Sequence, residues 1–270
     1  LGNKIMKNIN CATVVTSSAL FSTAMLNSDG FSVSRNELIQ RIDLLRAILK
    51  EDLYSSKTII SEKTAEEIID QMKKLNFISK EDISDRISLS NKEAARLSFY
   101  RNNISHLLII ESLICGFFQY KKTITKENLV DSLKMIFPFL KEEFFLKWRE
   151  DELESVIELK LQKLVKLKLL NEDSKNFMRP NFKSKEFYET QALGKLVQPS
   201  IDRFYVLISQ LWKNAESHVS KNDLEKNSLK ILQKLEKTHA RLTPEFSEKW
   251  MFDVFLFDVW LCVCLFVFLF

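Results

Sequence analysis

The residues best equipped for chemistry stand together in Phe99–Tyr120. Tyr100, Arg101, Asn102, Asn103 and His106 bring a phenol, a guanidinium, two amides and an imidazole within two turns of what reads as one helix. Such a set could hold a phosphate, since guanidinium and amide groups donate to anionic oxygens. The same residues also suit a helix junction, with an Asn as cap, Arg101 paired with an acid and His106 satisfied in a core. Glu111 follows His106 by five positions. Residues five apart share a helical face poorly, so a proton-relay pair is not expected. Lys160, Lys163, Lys166 and Lys168 form a basic series ahead of a hairpin-like piece at Asn171–Phe182. That order resembles a winged helix, which would lay a basic helix in a nucleic-acid groove. The lysines alternate with apolar residues, acids balance them and few arginines are present, so a solvated face is the expected meaning and no nucleic-acid partner is expected. Cys262-x-Cys264 has no further ligands near it, and no metal site or cofactor is expected.

The element that must position the first set is the segment itself. From Leu107 to Phe118 it is apolar almost all the way round. A helix of that kind belongs in a core or a bilayer. It is too short to span a membrane and carries His106 and Glu111, which places it at the centre of a helical domain. Composition agrees. With Gly 4 and Pro 4 in 270 residues, sheets and tight turns are short of material, and long helices joined by polar connections are expected. The fold class expected is mainly α: a multi-helix domain with a few short strands or a small hairpin. A net charge of +4 permits an anionic partner without requiring one. Four scattered cysteines make no disulfide framework and suit a reducing compartment. No signal peptide is evident at the start, and the absence of an initial Met fits a fragment.

Helix starts are written plainly along the chain. Ser34, Thr64 and Ser90 each precede a Glu by three positions, the pattern of a capping box, while Thr125 stands three before Asn128 and Ser184 three before Phe187. Asn222-x-x-Glu225 reads as another start, and Thr243-Pro244 as the start of a last helix. Val14 begins a short extended entry, with a helix from about Ser18. Phe77–Leu89 could hold two short strands, and Pro138 is expected to break or kink its helix, which resumes over Leu140–Trp148. No internal repeat of fixed period is visible. The domains expected are a remnant or linker at 1–13, a helical region at 14–249 with a sub-boundary near 121–125, and an aberrant apolar tail at 250–270. From Val259 onward every residue is Val, Trp, Leu, Cys or Phe. All five are encodable with T and G alone, which fits a frameshifted or read-through end. A membrane-dipping helix and a buried or partner-facing segment are the other readings.

These residues also carry a resemblance. Tyr100-Arg101-Asn102-Asn103 with His106 resembles the Tyr-Arg-Asn-Asn-x-x-His segment of the large, membrane-associated bacterial glycerol-3-phosphate 1-O-acyltransferases, and four further segments match in the same order. Lys141–Trp148 resembles that family's Lys-Ala-Glu-Leu-Phe-Leu-Arg-Trp. Asp151-Glu152-Leu153 with Val156-Ile157, Leu224-Glu225-Lys226 with Ser228, and Pro244-Glu245-Phe246 with Lys249 complete the set. The resemblance covers roughly Val14 to Phe252 and stops at the tail. It implies a C-terminal, non-catalytic part of an enzyme that moves an acyl group from acyl-CoA or acyl-carrier protein to the sn-1 hydroxyl of glycerol 3-phosphate. It also implies a catalytic acyltransferase domain as partner, contact with the cytoplasmic face of the bacterial inner membrane, and acyl-carrier protein as a further candidate partner. The family's catalytic His-x4-Asp block precedes this region. One literal copy, His218 to Asp223, is not read as catalytic: its neighbours differ from that block, and Asp223 suits the first turn of a helix. An independent helical interaction module, or a winged-helix-like nucleic-acid-binding module, is the alternative.

Overall fold

The computed structural model describes residues 1–78, 80–81, 85–213 and 220–239. His218, the helix start at Thr243, Cys262, Cys264 and the tail at 250–270 lie outside the described residues. The chain is mainly α-helical, and its described residues form two compact units that divide after Val197.

In the first unit the elements run α1 (Gly2–Cys11), β1 (Val14–Val15), α2 (Ser17–Leu26), β2 (Ser32–Ser34), α3 (Arg35–Glu51), β3 (Ile59–Ile60), α4 (Ala65–Lys74), β4 (Lys80–Glu81), β5 (Arg86–Ser88) and α5 (Asn91–Phe117), followed by β6 (Thr123–Thr125), α6 (Lys126–Phe144), α7 (Leu153–Lys166), β7 (Asn171–Asp173), β8 (Asn176–Met178) and α8 (Lys185–Gly194). The second unit holds α9 (Gln198–Lys213) and α10 (Lys221–His239), which pack together.

The expected caps form. The hydroxyls of Ser34, Thr64, Ser90, Thr125 and Ser184 each accept a backbone N–H three residues on, and at Thr64 and Ser90 the Glu returns the bond to close the box. Each cap satisfies donors that helix geometry leaves orphaned. Three expectations need correction. α6 runs through Pro138 without ending there, and the chain leaves the helix only at Phe145, in a left-handed conformation, so no helix resumes over Leu140–Trp148. Asp151-Glu152, whose acidity reads as the start of the long helix that follows, sit instead in a 3-10 turn just before α7. The start of α10 is capped by Ser220, whose hydroxyl accepts from Asp223 N–H at 3.1 Å, and not by Asn222.

A topological unit occurs twice. α2, β2, α3, α4, β4, β5 and then α5, β6, α6, α7, β7, β8 follow the same order, and the two three-stranded antiparallel sheets have the same strand order, β2-β5-β4 and β6-β8-β7. The likeness extends to single hydrogen bonds. Arg35 N–H donates to Asp85 O, and Lys126 N–H to Lys175 O; Leu89 N–H donates to Phe31 O, and Arg179 N–H to Lys122 O. α4 and α7 end alike: Asn76 and Lys168 have positive φ, and Phe77 and Leu169 each donate back five residues, to Met72 O and Leu164 O. The central apolar strand residues Val33 and Ile124 lie 91 positions apart, and Ile87 and Phe177 lie 90 apart. The hairpin-like piece expected at Asn171–Phe182 is thus present as β7 and β8, and the unit that holds it has a second copy upstream. The expected sub-boundary near 121–125 falls on β6, the first strand of the second copy.

α5 is the axis of this unit. At 27 residues and about 40 Å it lies along α2 on one side and α8 on the other. α8 comes so close that a methyl group at Gly194 would stand 2.9 Å from Gly116 N and 2.8 Å from Gln119 Nε2. Ser112, fully buried on α5, donates to Leu193 O at 2.8 Å and accepts from Val197 N–H at 2.9 Å.

Candidate functional site

α5 buries every residue from Ile104 to Cys115, an imidazole and a carboxyl group among them. Burying an imidazole or a carboxylate in an apolar helix is costly unless each finds partners, and the two find different ones. His106 Nε2 lies 3.2 Å from Thr13 Oγ1 and 3.3 Å from Asn10 O. Thr13 spends its own hydroxyl proton on Asn10 O at 2.8 Å. Its oxygen therefore accepts from His106, which assigns the ring proton to Nε2. The edge of Tyr54 meets the imidazole with centroids 5.2 Å apart. Burial lowers the His106 pKa to about 4, so the ring is neutral and serves as a donor.

Glu111, 1% exposed, binds two lysines from α7. Its Oε1 receives Lys163 Nζ directly and stands 3.1 Å from Lys160 Nζ. Lys160 also reaches Asp52 Oδ2 at 2.6 Å, and Lys163 donates to Ile48 O at 3.2 Å. Burial opposes the charge on Glu111, but the two ammonium groups outweigh it and hold the carboxyl below its usual range. Burial and repulsion from Lys160 pull Lys163 down despite Glu111, whereas the two carboxylates overcome burial and keep Lys160 firmly protonated. Two carboxylates face two ammonium groups, so the cluster is balanced. Glu111 Oε2 has no hydrogen-bond partner. Lys166, one further turn along α7, pairs with Glu51 at 2.5 Å. Three lysines spaced by three therefore grip the C-terminal end of α3, where the helix dipole favours cations.

Aromatic side chains close this polar core. Tyr54 stacks edge-on against Trp148 at 5.0 Å, Lys160 Nζ lies 5.7 Å from the Trp148 ring, and Lys147 lies over Tyr54 at 4.6 Å. Burial pushes the Tyr54 phenol up to about 12, although Lys147 N–H donates to it at 2.9 Å.

The expected set does not converge on one point. Tyr100 turns the other way, against Phe77 at 5.6 Å. Arg101 is buried and donates to Asn102 Oδ1 at 3.3 Å; Asn102 and Asn103 are exposed; His106 faces α1. His106 and Glu111 share no hydrogen bond, as their spacing implied. The reading of the lysine series as a solvated face holds for Lys166 and Lys168, which are exposed, and is corrected for Lys160 and Lys163, which are buried and paired and so withheld from nucleic-acid phosphates. The positions equivalent to Glu111, Lys160 and Lys163 in the first copy are Leu20, Ile68 and Gln71, so no likeness of residue type between the copies marks the charged cluster. Asp223, from the rejected His-x4-Asp match, accepts from the Ser220 hydroxyl at 2.8 Å as part of the α10 cap. A cavity of about 320 Å³ opens between α3 and α8, bordered by Glu37, Arg41, Lys185 and Glu189, but Arg41 is spent on Glu37 and Ser28.

Residues 1–257 match the model of the glycerol-3-phosphate acyltransferase C-terminal region. The chain belongs to that family. It is 26% identical over 258 residues to the glycerol-3-phosphate acyltransferase of Pseudomonas fluorescens (strain Pf0-1), and 27% identical to those of Pseudomonas paraeruginosa and Pseudomonas aeruginosa. Each alignment covers 95% of this chain and 31% of the relative. The chain thus spans about a third of the length of the acyltransferases it matches. The buried cluster on α5 and α7 is a feature of this C-terminal region, and its geometry ties helices together rather than presenting a free base or nucleophile.

Proposed function

We propose that this chain acts as the non-catalytic C-terminal region of a glycerol-3-phosphate acyltransferase. On this reading, transfer from acyl-CoA or acyl-carrier protein to the sn-1 hydroxyl of glycerol 3-phosphate is performed by residues outside the matched segment. The observation that carries it is the family match over 1–257, joined to a histidine that is buried, neutral and already donating. A general base must reach its proton within hydrogen-bond distance, and His106 is committed elsewhere. Within this role, His106 and Tyr100 fasten α5 to its neighbours, Arg101 is buried against Asn102 on the same helix, and the exposed Asn103 faces the acyltransferase domain. Attachment to the cytoplasmic face of the inner membrane would be peripheral: no helix among the described residues is long and apolar enough to cross a membrane. Acyl-carrier protein, an anionic partner, suits the chain's positive charge.

The test compares three proteins: this chain alone, the P. fluorescens acyltransferase without its matched segment, and a chimera carrying this chain in that segment's place. Acyl transfer to glycerol 3-phosphate is expected in the chimera and in neither part. Transfer by the chain alone, abolished by His218→Ala, would overturn the reading. So would salt-dependent binding to DNA or RNA together with an inactive chimera.

A further inference from the structure

We propose that the outward face of α1 is the seat on which the acyltransferase domain docks, an inference that rests on the function proposed above. In a globular domain an amphipathic helix turns its apolar stripe to the core. α1 is fastened the other way round. Asn10 donates to Phe144 O at 2.7 Å and Phe145 O at 3.2 Å, and Asn3 donates to Glu142 Oε2 at 3.2 Å, so the polar face lies on the end of α6. Lys7, Asn10 and Cys11 are its half-buried residues, and none is fully buried. Leu1, Ile5 and Ile9 recur every four residues on the opposite side with Met6 beside them, and Ile5, Met6 and Ile9 are 48%, 37% and 56% exposed. A helix held by its amides with its isoleucines in water leaves apolar area that a partner would cover.

The occupant follows from where the rest of the relatives' polypeptide must lie. The matched part is a C-terminal region, and the aligned stretch is 31% of each relative, so in the relatives most of the polypeptide lies on the N-terminal side of the matched part, the side on which α1 stands. A domain tethered there samples this stripe at the high effective concentration a short connection gives. A lipid surface fits less well. Membrane-surface helices carry several cations on the polar face beside the buried stripe, whereas α1 has only Lys4 and Lys7, with Lys7 turned toward the domain.

The experiment uses the chimera and the isolated full chain, each with Cys11→Ser and Ile9→Cys, so that position 9 carries the one thiol of its peptide. Maleimide labelling is followed by mass at the peptide that carries position 9, and Lys92→Cys, exposed at the start of α5, serves as the reference. Labelling at position 9 is expected to be at least tenfold slower in the chimera than in the isolated chain, with position 92 equal in both. Ile5→Asp with Ile9→Asp is expected to lower acyl transfer by the chimera at least tenfold, yet leave the helical content and melting temperature of the isolated chain unchanged. Equal labelling at position 9 in both proteins overturns the proposal. Shielding that arises only with vesicles containing phosphatidylglycerol overturns it in favour of lipid. Shielding that grows with concentration of the isolated chain overturns it in favour of a second copy. An active chimera with an open position 9 defeats the docking face alone. An inactive chimera with a shielded position 9 supports the docking face and defeats the proposed function.

Discussion

Glu111→Gln removes one charge from the buried cluster and keeps the side chain's shape and one acceptor oxygen. The charge stands 3.1 Å from Lys160 Nζ, with Lys163 in direct contact. At an effective dielectric constant of about 20, attraction over that distance is about 5 kcal/mol. Two effects reduce the loss. The carboxylate no longer has to be stripped of water, which in the parent costs several kcal/mol. Lys163, already held down by burial, can also release its proton, at a cost of no more than about 5 kcal/mol at neutral pH from the ordinary lysine value. Lys160 keeps Asp52 at 2.6 Å. The expected net loss is about 3–5 kcal/mol, the range found when one partner of a buried pair is removed. It should read as a lower urea midpoint at unchanged slope. The pH dependence carries a sign. With Lys163 neutral in the folded variant, the unfolded chain binds more protons until pH passes the ordinary lysine range. The variant therefore gains stability as pH rises, and its gap to the parent narrows until Lys163 of the parent, itself held below the ordinary lysine value, also loses its proton. Glu111→Leu with Lys160→Ile and Lys163→Gln, the residues of the first copy, leaves no charge stranded in the core, because the Asp52 side chain is 31% exposed and can be hydrated. That triple variant should recover most of the loss. A loss under about 1 kcal/mol for Glu111→Gln, or a gap indifferent to pH, would refute the reasoning.

Gly194→Ala places a methyl group against the backbone of α5 at 2.9 Å and should cost about 1–3 kcal/mol, measured by chemical denaturation. His106 is held near pH 4 in the fold against 6.5 ordinarily, so between those values the unfolded chain binds more protons and stability falls as pH is lowered. That fall amounts to about 3 kcal/mol by pH 4, and His106→Gln should flatten the profile in that window. Ser90→Ala opens the capping box of α5 and should lower stability by about 1 kcal/mol in a thermal melt, with the interior of the helix unchanged.

Much of this fold was legible because its signals are local. A Ser or Thr three residues before a Glu or Asn needs nothing distant to act as a cap, and the starts at Ser34, Thr64, Ser90 and Thr125 all hold. The central helix announced itself through apolar density, and Tyr100 to His106 pointed to the family. The features missed depend on separation. Lys160 and Lys163 alternate with leucines as solvated lysines do; what draws them inward is Glu111, some fifty positions earlier, and the end of α3, more than a hundred positions earlier. α1 shows its stripe in the sequence, but which side faces inward is decided by amide contacts to α6, more than 130 residues away.

The duplication was hidden for a different reason: the copies preserve roles and not residue identities. Val33 and Ile124 fill the same strand position, Ser34 and Thr125 the same cap, Asn76 and Lys168 the same left-handed turn. Each pair is interchangeable to the backbone and different in letters. Where the copies diverge most in chemistry is the inward face of their third helices, Ile68 and Gln71 against Lys160 and Lys163. The first copy shows that this topology can place an apolar residue there, so the lysines are not required to build the second copy. What they join is the seam: Lys160 to Asp52, Lys163 to Ile48 O, and Lys166 to Glu51, every contact running from the second copy to the end of α3 in the first. Apolar attraction has no direction of its own, whereas three point charges spaced by three residues meet their partners in only one register. The charge cluster therefore fixes how one copy sits on the other, which explains why lysines occupy positions that one copy on its own would fill with isoleucine and glutamine.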